Sequence, residues 1–288
     1  MQGANPMVFF PMMLLGLYAR ITPTQRGGYR LVRMVRRCLP AEHWSGWFTT
    51  PDGLRMELDL GTYPDCCMAA GLYELETYRL LRRLLQPGRR FVDCGANIGY
   101  FTLLAARWVG PSGRVDAFEP DLQNRDRLLR NLDANGLTRV HVHAEAVSDG
   151  AGQLTLYHPG PRGNHGMASA YLYDSARDRP QQVPCQRLDA CLQEAPDVVK
   201  IDVEGGELAA VRGMEHLFTG AHPPVIIYEH NRATAAAAGF RPSDIPRAIE
   251  QFNRHYEFRI VGWRDRRLRA LEDLDTLTGQ PSILARRR

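Results

Sequence analysis

The sequence predicts an α/β fold built on a mostly parallel sheet with helices on both faces. From residue 90 onward, short apolar segments alternate with amphipathic segments of helical period. The links between them are short, as expected for parallel strands joined by right-handed crossover helices. A glycine-containing turn, residues 95–99, follows the first apolar segment, where nucleotide-binding sheets hold their ligand.

Length and composition fit one large folded domain with a terminal extension. The chain has 288 residues, of which 44% are hydrophobic and 24% are charged, so disorder is not expected. We divide it into an N-terminal helical extension, residues 1–44, and one domain, residues 45–288.

The N-terminal extension contains an apolar segment followed by an arginine-rich one. Residues 6–19 are too short to span a bilayer, contain two prolines and follow no basic leader, which argues against a signal peptide or spanning helix. Arg30, Arg33 and Arg37 then recur at helical spacing. This pattern is typical of a packed surface helix with a solvated arginine face, and peripheral docking to a membrane is the alternative.

Charge and cysteine content narrow the partners and the compartment. The net charge is +4 and no nucleic-acid-binding motif is present, so we expect no nucleic-acid partner. The six cysteines form no CxxC pair and no zinc pattern, which favours a reducing cytoplasm. Lys200 is the only lysine in the chain, and its position indicates a need for a compact ammonium.

Two elements precede the parallel sheet. A Pro-Asp-Gly turn within residues 47–60 predicts an antiparallel hairpin. Residues 73–88 have apolar side chains at helical spacing, and Pro87 and Gly88 end that helix.

The alternating core comes next. Its predicted strands lie at residues 90–94, 114–119, 140–147, 197–202 and 224–230, and its predicted helices at residues 100–109, 122–136 and 206–218. A helix at 243–256 and strands at 257–263 and 281–285 complete the chain.

The alternation pauses between Asp149 and Leu188. Glycines and prolines there give no helical period, and a connection that long is usually a lid or a binding loop. We expect the stretch around Asn164 and His165 to act as a lid, with a plain surface loop as the alternative.

The turn after the first strand predicts the ligand. Gly95 can adopt a positive φ and let a ligand touch the backbone, Asn97 tolerates such a bend, and Gly99 permits close packing of the next helix. Asp93 ends the strand, and its carboxylate suits a ligand with an ammonium or sulfonium group. Glu119 lies at the end of the second strand, where an acid binds ribose hydroxyls. Together these residues predict S-adenosylmethionine.

Other nucleotide sites fit this turn less well. A dinucleotide site needs glycine where Asn97 and Tyr100 stand, and no Gly-Lys-Ser/Thr follows to make a phosphate loop. A nicotinamide oxidoreductase is therefore the weaker hypothesis, and Asp93 would also repel a pyrophosphate.

Several motifs resemble the FkbM family of class I S-adenosylmethionine-dependent methyltransferases. They are FVDCGANIGYFTLLAARWVGPSGRVDAFEPD, NLDANGL, AVSDGAG, VVKIDVEGGELAAVRGM and VIIYEHN, and the resemblance is strongest over residues 52–230. It implies a Rossmann-like fold with a seven-stranded sheet, S-adenosylmethionine as methyl donor, and O-methylation of a hydroxyl in a sugar, glycan or secondary metabolite.

The resemblance also assigns residues. It places Asp93, Gly95, Asn97 and Gly99 in the cofactor turn and Glu119 on the ribose. The motif AVSD, which ends at Asp149, corresponds to the region beside the adenine. The segment GLYELET implies that Tyr73 and Glu74 close over the methionine end of the donor.

Candidates for the chemistry follow the later strands. Asp202 should face the glycine turn and orient the acceptor, and Glu229 and His230 end the next strand, where His230 could take a proton. Glu207 lies in the first turn of a helix, where a favourable interaction with the helix dipole explains it equally well.

Two alternatives stay open at this stage. We predict no metal site, although Asp202, Glu204 and Glu229 could instead gather a divalent cation that lowers the pKa of the acceptor hydroxyl. From another functional class, the chain could be a non-catalytic module that binds S-adenosylmethionine or another nucleoside.

Overall fold

The fold is described from a computed structural model. It describes residues 14–15, 28–37, 44–158, 179–262 and 265–288. The predicted lid, with Asn164 and His165, lies outside the described residues.

An eight-stranded, mainly parallel sheet forms the centre of the described chain. Its spatial order is β12-β11-β13-β10-β9-β3-β4-β5. These strands are β3 (Arg90–Cys94), β4 (Arg114–Phe118), β5 (Val140–His143), β9 (Val198–Ile201), β10 (Val225–Glu229), β11 (Tyr256–Ile260), β12 (Arg266–Arg267) and β13 (Ser282–Arg287). The pairs from β10 to β5 are parallel, and β13 runs antiparallel between β10 and β11.

The sheet confirms the predicted fold class and adds one strand. The family resemblance implies seven strands, and the eighth is the two-residue β12, which pairs with β11 only at Arg259 and Ile260. The last predicted strand, near residue 282, is internal to the sheet and not at its edge, because it enters between two earlier strands.

Helices cover both faces of this sheet. They are α1 (Gly28–Arg37), α2 (Asp65–Ala69), α3 (Leu75–Leu84), α4 (Tyr100–Val109), α5 (Leu122–Ala134), α6 (Leu188–Cys191), α7 (Glu207–Arg212), α8 (Glu215–Thr219), α9 (Arg232–Ala237), α10 (Asp244–Phe252) and α11 (Asp273–Thr276). Alternate residues of β3 enter opposite hydrophobic clusters, Phe91 with Leu103 of α4 and Val92 with Ile249 of α10. Strands buried on both faces in this way read as continuous apolar runs.

Two predicted elements are split in the structure. The predicted strand at 140–147 divides into β5 and β6 (Ala146–Val147), because β6 pairs with β8 (Arg179–Gln186) in a separate three-stranded sheet with β7 (Gly152–His158). The predicted helix at 206–218 divides into α7 and α8 at Gly213. A Cβ at Gly213 would lie 2.1 Å from the carbonyl oxygen of Ser148, so the chain packs too tightly there for any other residue.

The predicted hairpin is confirmed and packs against α5. It consists of β1 (Ser45–Thr49) and β2 (Arg55–Asp59), joined at the Pro-Asp-Gly turn. Asn131 of α5 is fully buried and accepts a hydrogen bond from the Glu57 amide at 2.7 Å. The same side chain donates to the Ile98 carbonyl at 2.8 Å, so it connects the hairpin to the turn that follows β3.

The predicted arginine-rich helix corresponds to α1. Arg30, Arg33 and Arg37 are exposed on it and Val32 is buried, which agrees with a packed helix that carries a solvated basic face. Within the residues described, no helix combines the length and the apolar character that crossing a membrane requires.

Candidate active site

Strands β3, β4, β9 and β10 end at one edge of the sheet, and a cavity of about 420 Å³ opens there. Parallel strands point their carboxyl ends to the same side, so residues far apart in sequence meet at this edge. Seven predicted site residues line the cavity, together with Tyr73: Glu74, Asp93, Gly95, Asn97, Glu119, Asp202 and Glu229.

The turn after β3 has the backbone that its sequence predicts. Gly95, Asn97 and Gly99 all have positive φ, at 81°, 52° and 92°. A Cβ at Gly95 would lie 1.8 Å from the carbonyl oxygen of Asp202, so only glycine allows the turn to approach β9 this closely. Gly99 is different, because a Cβ there would meet Leu128 of α5 and Gly99 does not line the cavity.

Asp93 contributes a buried carboxylate with one free oxygen. Its side chain is 1% exposed, and Thr102 donates a 2.6 Å hydrogen bond to Oδ2. Oδ1 accepts no hydrogen bond from the described part of the chain. Burial raises the pKa of this carboxyl, and the ammonium of Lys200 is the strongest influence in the opposite direction. A buried oxygen without a donor, at the wall of a cavity, fits a ligand that brings its own N–H groups.

Glu119 is held by the backbone of the same turn. Oε2 accepts from the Asn97 amide at 2.7 Å and Oε1 from the Asp121 amide at 2.9 Å. Burial raises the pKa of Glu119 to about 7, although these two hydrogen bonds favour the charged form. Each carboxylate oxygen can accept a further hydrogen bond, so Glu119 can still bind two adjacent hydroxyls.

Lys200 and Asp202 form an ion pair inside the cavity. The Lys200 Nζ lies 2.8 Å from Asp202 Oδ2, and the Lys200 side chain is 5% exposed. The ammonium also lies 5.1 Å from the centre of the Phe101 ring. Asp202 itself keeps 18% of its side chain exposed, so it can contact a ligand from the cavity.

Two further acids crowd Asp202. Asp202, Glu204 and Glu229 bring one carboxylate oxygen each within 4.8 Å of one another. Burial raises the pKa of Glu204 to about 8 and that of Glu229 to about 10, and the charge of Asp202 adds to both shifts. Oε2 of Glu229 is buried and accepts no hydrogen bond within the described residues. The structure thus brings these three together, as the alternative of a divalent cation requires, and the absence of a metal site stays a prediction.

Tyr73 and Glu74 enter the cavity from the start of α3. Glu74 precedes the helix with φ 39°, so the chain turns sharply before Leu75. Burial raises the pKa of Glu74, and Lys200 opposes that shift most strongly. Tyr73 packs edge-on against Tyr100, at 5.8 Å between ring centres. This corner therefore combines a carboxylate with aromatic faces.

Besides Gly99, two predicted site residues lie away from the cavity lining. His230 is 2% exposed, and its Nε2 faces the Leu277 carbonyl at 3.3 Å. Burial lowers its pKa. Asp149 is exposed, lies shortly after the end of β6 and does not line the cavity. The position of His230 does not favour a role as the base, and we do not assign one to it below.

Glu207 has a structural environment. It is 3% exposed, lies in the first turn of α7, and accepts hydrogen bonds from the amides of Val203 and Gly205. Its carboxylate therefore closes the turn before α7 and is not free for a ligand.

Some lining residues were not predicted from the sequence. Phe118, Leu154 and Leu156 form an apolar part of the cavity beside Glu119, together with Val147 of the predicted AVSD segment, a surface suited to a flat base. Phe118 ends β4 directly before Glu119, and this position beside a predicted ribose acid could have marked it as a lining residue. Leu154 and Leu156 come from β7, which no motif marks.

The cavity fits the predicted donor on observations of this chain alone. The free Oδ1 of Asp93 suits an amino group, the Glu119 carboxylate suits ribose hydroxyls, and the apolar wall suits an adenine. A close backbone approach at Gly95 leaves the floor of the cavity open.

Comparison with known proteins agrees with this geometry. Residues 93–260, more than half of the chain, match the model of the Methyltransferase FkbM domain. Methyltransferase sdnD of Sordaria araneosa is 31% identical over 155 residues, which cover 43% of this chain and 60% of that protein. Methyltransferase 1 of Beauveria bassiana is 28% identical over 148 residues, covering 43% of this chain and 57% of that protein. The chain thus matches little more than half the length of these curated relatives.

A solved structure also aligns with part of this chain. The crystal structure of Methyltransferase FkbM from Methylobacillus flagellatus aligns with 76% of this chain and 54% of its own, with 19% identity and a TM-score of 0.45. The family match itself extends from Asp93 through the cavity residues of β4, β9 and β10 to the end of β11. The chain belongs to the FkbM family of class I S-adenosylmethionine-dependent methyltransferases.

Proposed function

We propose that this methyltransferase transfers the methyl group to a hydroxyl of a sugar, a glycan or a secondary metabolite. One observation carries the proposal: a single cavity contains acids suited to the donor at one side and the acidic group of Asp202, Glu204 and Glu229 at the other. A hydroxyl both donates and accepts hydrogen bonds, and a carboxylate beside protonated carboxyl groups offers it a partner for each.

Three features of the cavity bind the donor: two carboxylates at its amino-acid end, the ribose acid and the shape of the turn after β3. Asp93 binds the amino group through its free Oδ1, and Glu74 adds a second carboxylate near the same end. Glu119 binds the ribose, and its two backbone hydrogen bonds fix the direction in which its oxygens point. The positive φ values of Gly95 and Asn97 shape the turn so that the backbone does not block the ligand.

On the acceptor side, Asp202 is the residue that orients the hydroxyl. The bound donor supplies a methyl carbon that is already activated by positive sulfur, so the protein has mainly to align an oxygen with it and accept a proton. Asp202 is partly exposed to the cavity and is held in place by Lys200. It would accept the proton of the hydroxyl as the acceptor oxygen bonds to the methyl carbon and the bond from that carbon to sulfur breaks, which would leave the demethylated donor.

Glu229 has a different role from Asp202. With a pKa raised to about 10 by burial and by neighbouring acids, its carboxyl is protonated at neutral pH and donates a hydrogen bond. It therefore serves to position the acceptor, and Asp202 is the proton acceptor. Aromatic side chains near the same corner, Tyr63 and Tyr73, offer faces on which a sugar ring can pack.

We also propose that the protein works in a reducing compartment such as the cytoplasm. Within the described residues five cysteines form no disulfide bond, and four of these are buried, Cys66, Cys67, Cys94 and Cys185. The exposed arginines of α1 leave room for a peripheral contact with a membrane.

Calorimetry with S-adenosylmethionine and with its demethylated product tests the donor site. We expect both to bind, and we expect Asp93→Ala and Glu119→Ala each to weaken binding by about tenfold or more, because each removes a charge-assisted hydrogen bond. Glu257→Ala, on the outer strand β11, is the matched control and should bind as the wild type does. Binding that survives in both site variants would contradict the proposed site.

The acceptor is sought with a labelled donor. Extracts incubated with the protein and methyl-labelled donor should yield a product that is heavier by one methyl group, and sugars and glycans are examined first by mass spectrometry. Asp202→Asn should bind the donor but lose transfer. Donor binding without any transfer to any acceptor would instead favour a non-catalytic nucleoside-binding module.

A further inference from the structure

Lys200 lies at the centre of the cavity described above. It is the only lysine of the chain, on the central strand β9, where it pairs with Asp93 of β3 on one side and Ile227 of β10 on the other. Its residue exposure is only 4%, so its ammonium is shielded from bulk water.

The ionisable groups around Lys200 are almost all acidic. Among the described residues that line the cavity, Lys200 is the only cation, against seven acids: Glu74, Asp93, Glu119, Glu145, Asp202, Glu204 and Glu229. The groups that face it come from three places in the chain, Asp202 directly after β9, Asp93 on β3 and Glu74 before α3, with Phe101 of α4 beneath. Glu204 and Glu229 lie beyond Asp202.

Burial alone would make this cavity neutral. A carboxylate removed from water prefers its protonated form unless a positive charge lies close. Burial does raise the pKa values of Asp93 and Glu74, and in both cases Lys200 is the main influence that lowers them. Burial likewise lowers the pKa of Lys200, but Asp202, Glu74 and Asp93 outweigh it and hold that pKa above its ordinary value.

We propose that Lys200 is a positioning residue for the donor: its buried ammonium pairs with Asp202, lies opposite Asp93 in the strand register and offsets the negative charge of the acids around it, so that the cationic donor meets charged carboxylates. The proposal rests on the proposed function, because it concerns the same site. It assigns Lys200 no contact with the donor or the acceptor.

The proposed role predicts the opposite effect on donor affinity from simple charge repulsion. A lysine beside a site for a cation should repel that ligand, so its removal should tighten binding. If Lys200 acts by keeping Asp93 and Glu74 charged, its removal instead weakens binding near neutral pH. The loss should disappear at high pH, where these carboxyls ionise without help. The sign of the effect and its dependence on pH therefore decide between the two.

The test is calorimetric titration of S-adenosylmethionine between pH 6 and pH 9 into three proteins. Lys200→Met removes the charge, and Lys200→Arg keeps it. We expect Lys200→Met to bind about tenfold or more weaker at pH 7 and to approach the wild type at pH 9, a shift of about one pH unit or more in the profile. Lys200→Arg should keep the pH profile of the wild type, whatever its absolute affinity.

A double variant covers the case in which Lys200→Met does not fold. Lys200→Met with Asp202→Asn keeps the net charge of the cavity, and it removes a carboxylate that itself raises the pKa values of Asp93 and Glu74. We expect the double variant to fold, as judged by circular dichroism, and to regain most of the binding at pH 7. Binding by Lys200→Met that equals or exceeds the wild type at pH 7, or a loss that is the same at every pH, overturns the proposal. A double variant that binds the donor no better than Lys200→Met also overturns the proposal. Where Lys200→Met is unfolded, a double variant that binds no donor overturns it as well.

A second measurement does not depend on the donor. Because the chain has one lysine, labelling with ¹³C-lysine gives a single set of side-chain signals, whose Cε shift reports the charge of Lys200. We expect no titration below about pH 10. Titration below pH 9 overturns the proposal even if the donor binds, whereas a wild type that binds no donor and shows no titration counts against the proposed function alone.

Discussion

At the scale of single residues, glycine positions decide whether the cavity can exist. Gly95 brings the turn after β3 against Asp202, and no side chain fits in that gap. The residue pattern predicted this turn well, because positive φ is a local property that glycine and asparagine reveal in a sequence.

Replacing Gly95 tests this packing. We expect Gly95→Ala to lower the free energy of unfolding by more than about 2 kcal/mol, because its Cβ would lie 1.8 Å from a backbone oxygen that cannot move cheaply. Gly136→Ala is the matched control: Gly136 also has positive φ, 64°, but open space around it. That variant should lose only about 1 kcal/mol. Equal losses in urea unfolding would show that packing at Gly95 is unimportant.

Other residues of the site could not be predicted in their roles. Lys200 lies on β9 and Asp202 follows the end of that strand, but their ion pair depends on side-chain directions that no motif encodes. His230 follows Glu229 directly, and yet neighbouring residues at a strand end point to opposite faces, so His230 lies against Leu277 and not at the cavity. Leu154 and Leu156 reach the site through a separate small sheet, a long-range contact that periodicity does not report.

At the scale of elements, one asparagine joins the hairpin, α5 and the cofactor turn. Asn131 accepts from the Glu57 amide and donates to the Ile98 carbonyl, and it is fully buried. The hairpin was predicted from its own turn, whereas this contact depends on tertiary packing. The helix thus holds the back of the turn that shapes the donor site.

Asn131→Ala should therefore destabilise the fold more than the same change at Asn135, which caps the C-terminal end of α5. We expect a loss of about 2 kcal/mol or more in the free energy of unfolding, since two buried backbone groups lose their partner. Asn135 makes a similar pair of bonds to the backbone of Arg55 but at an exposed site, so Asn135→Ala should lose about 1 kcal/mol or less. Urea unfolding compares the two. Losses of the same size would contradict a special role for Asn131.

At the scale of the whole molecule, the acids of the cavity oppose the stability of the fold. Burial raises the pKa values of Glu119 and Glu207 to about 7, of Glu204 to about 8 and of Glu229 to about 10. These values exceed those of an unfolded chain, so the folded state binds more protons above about pH 4.5. Stability is therefore highest at lower pH and falls as the pH rises toward these folded values.

Without a ligand, the free energy of unfolding should fall between pH 6 and pH 8.5. Each buried acid that stays protonated in the folded state contributes up to about 1.4 kcal/mol per pH unit. Glu229→Gln should make the slope shallower, because it removes one such group and relieves Glu204. Glu257→Gln is the control: hydrogen bonds from Arg286 and Arg259 lower the pKa of Glu257, so this variant should shift stability without changing the slope. A wild type whose stability is flat or rises over this range would contradict the account.

The central claim is that Asp93, the turn after β3 and Glu119 bind one molecule of S-adenosylmethionine. A crystal structure of the protein with the demethylated donor tests it most directly. We predict that the amino group of the ligand contacts Asp93 Oδ1 and that its ribose contacts Glu119, with the base against Phe118. An empty cavity at saturating ligand, or a ligand bound elsewhere while Asp93 contacts only Thr102, would contradict it.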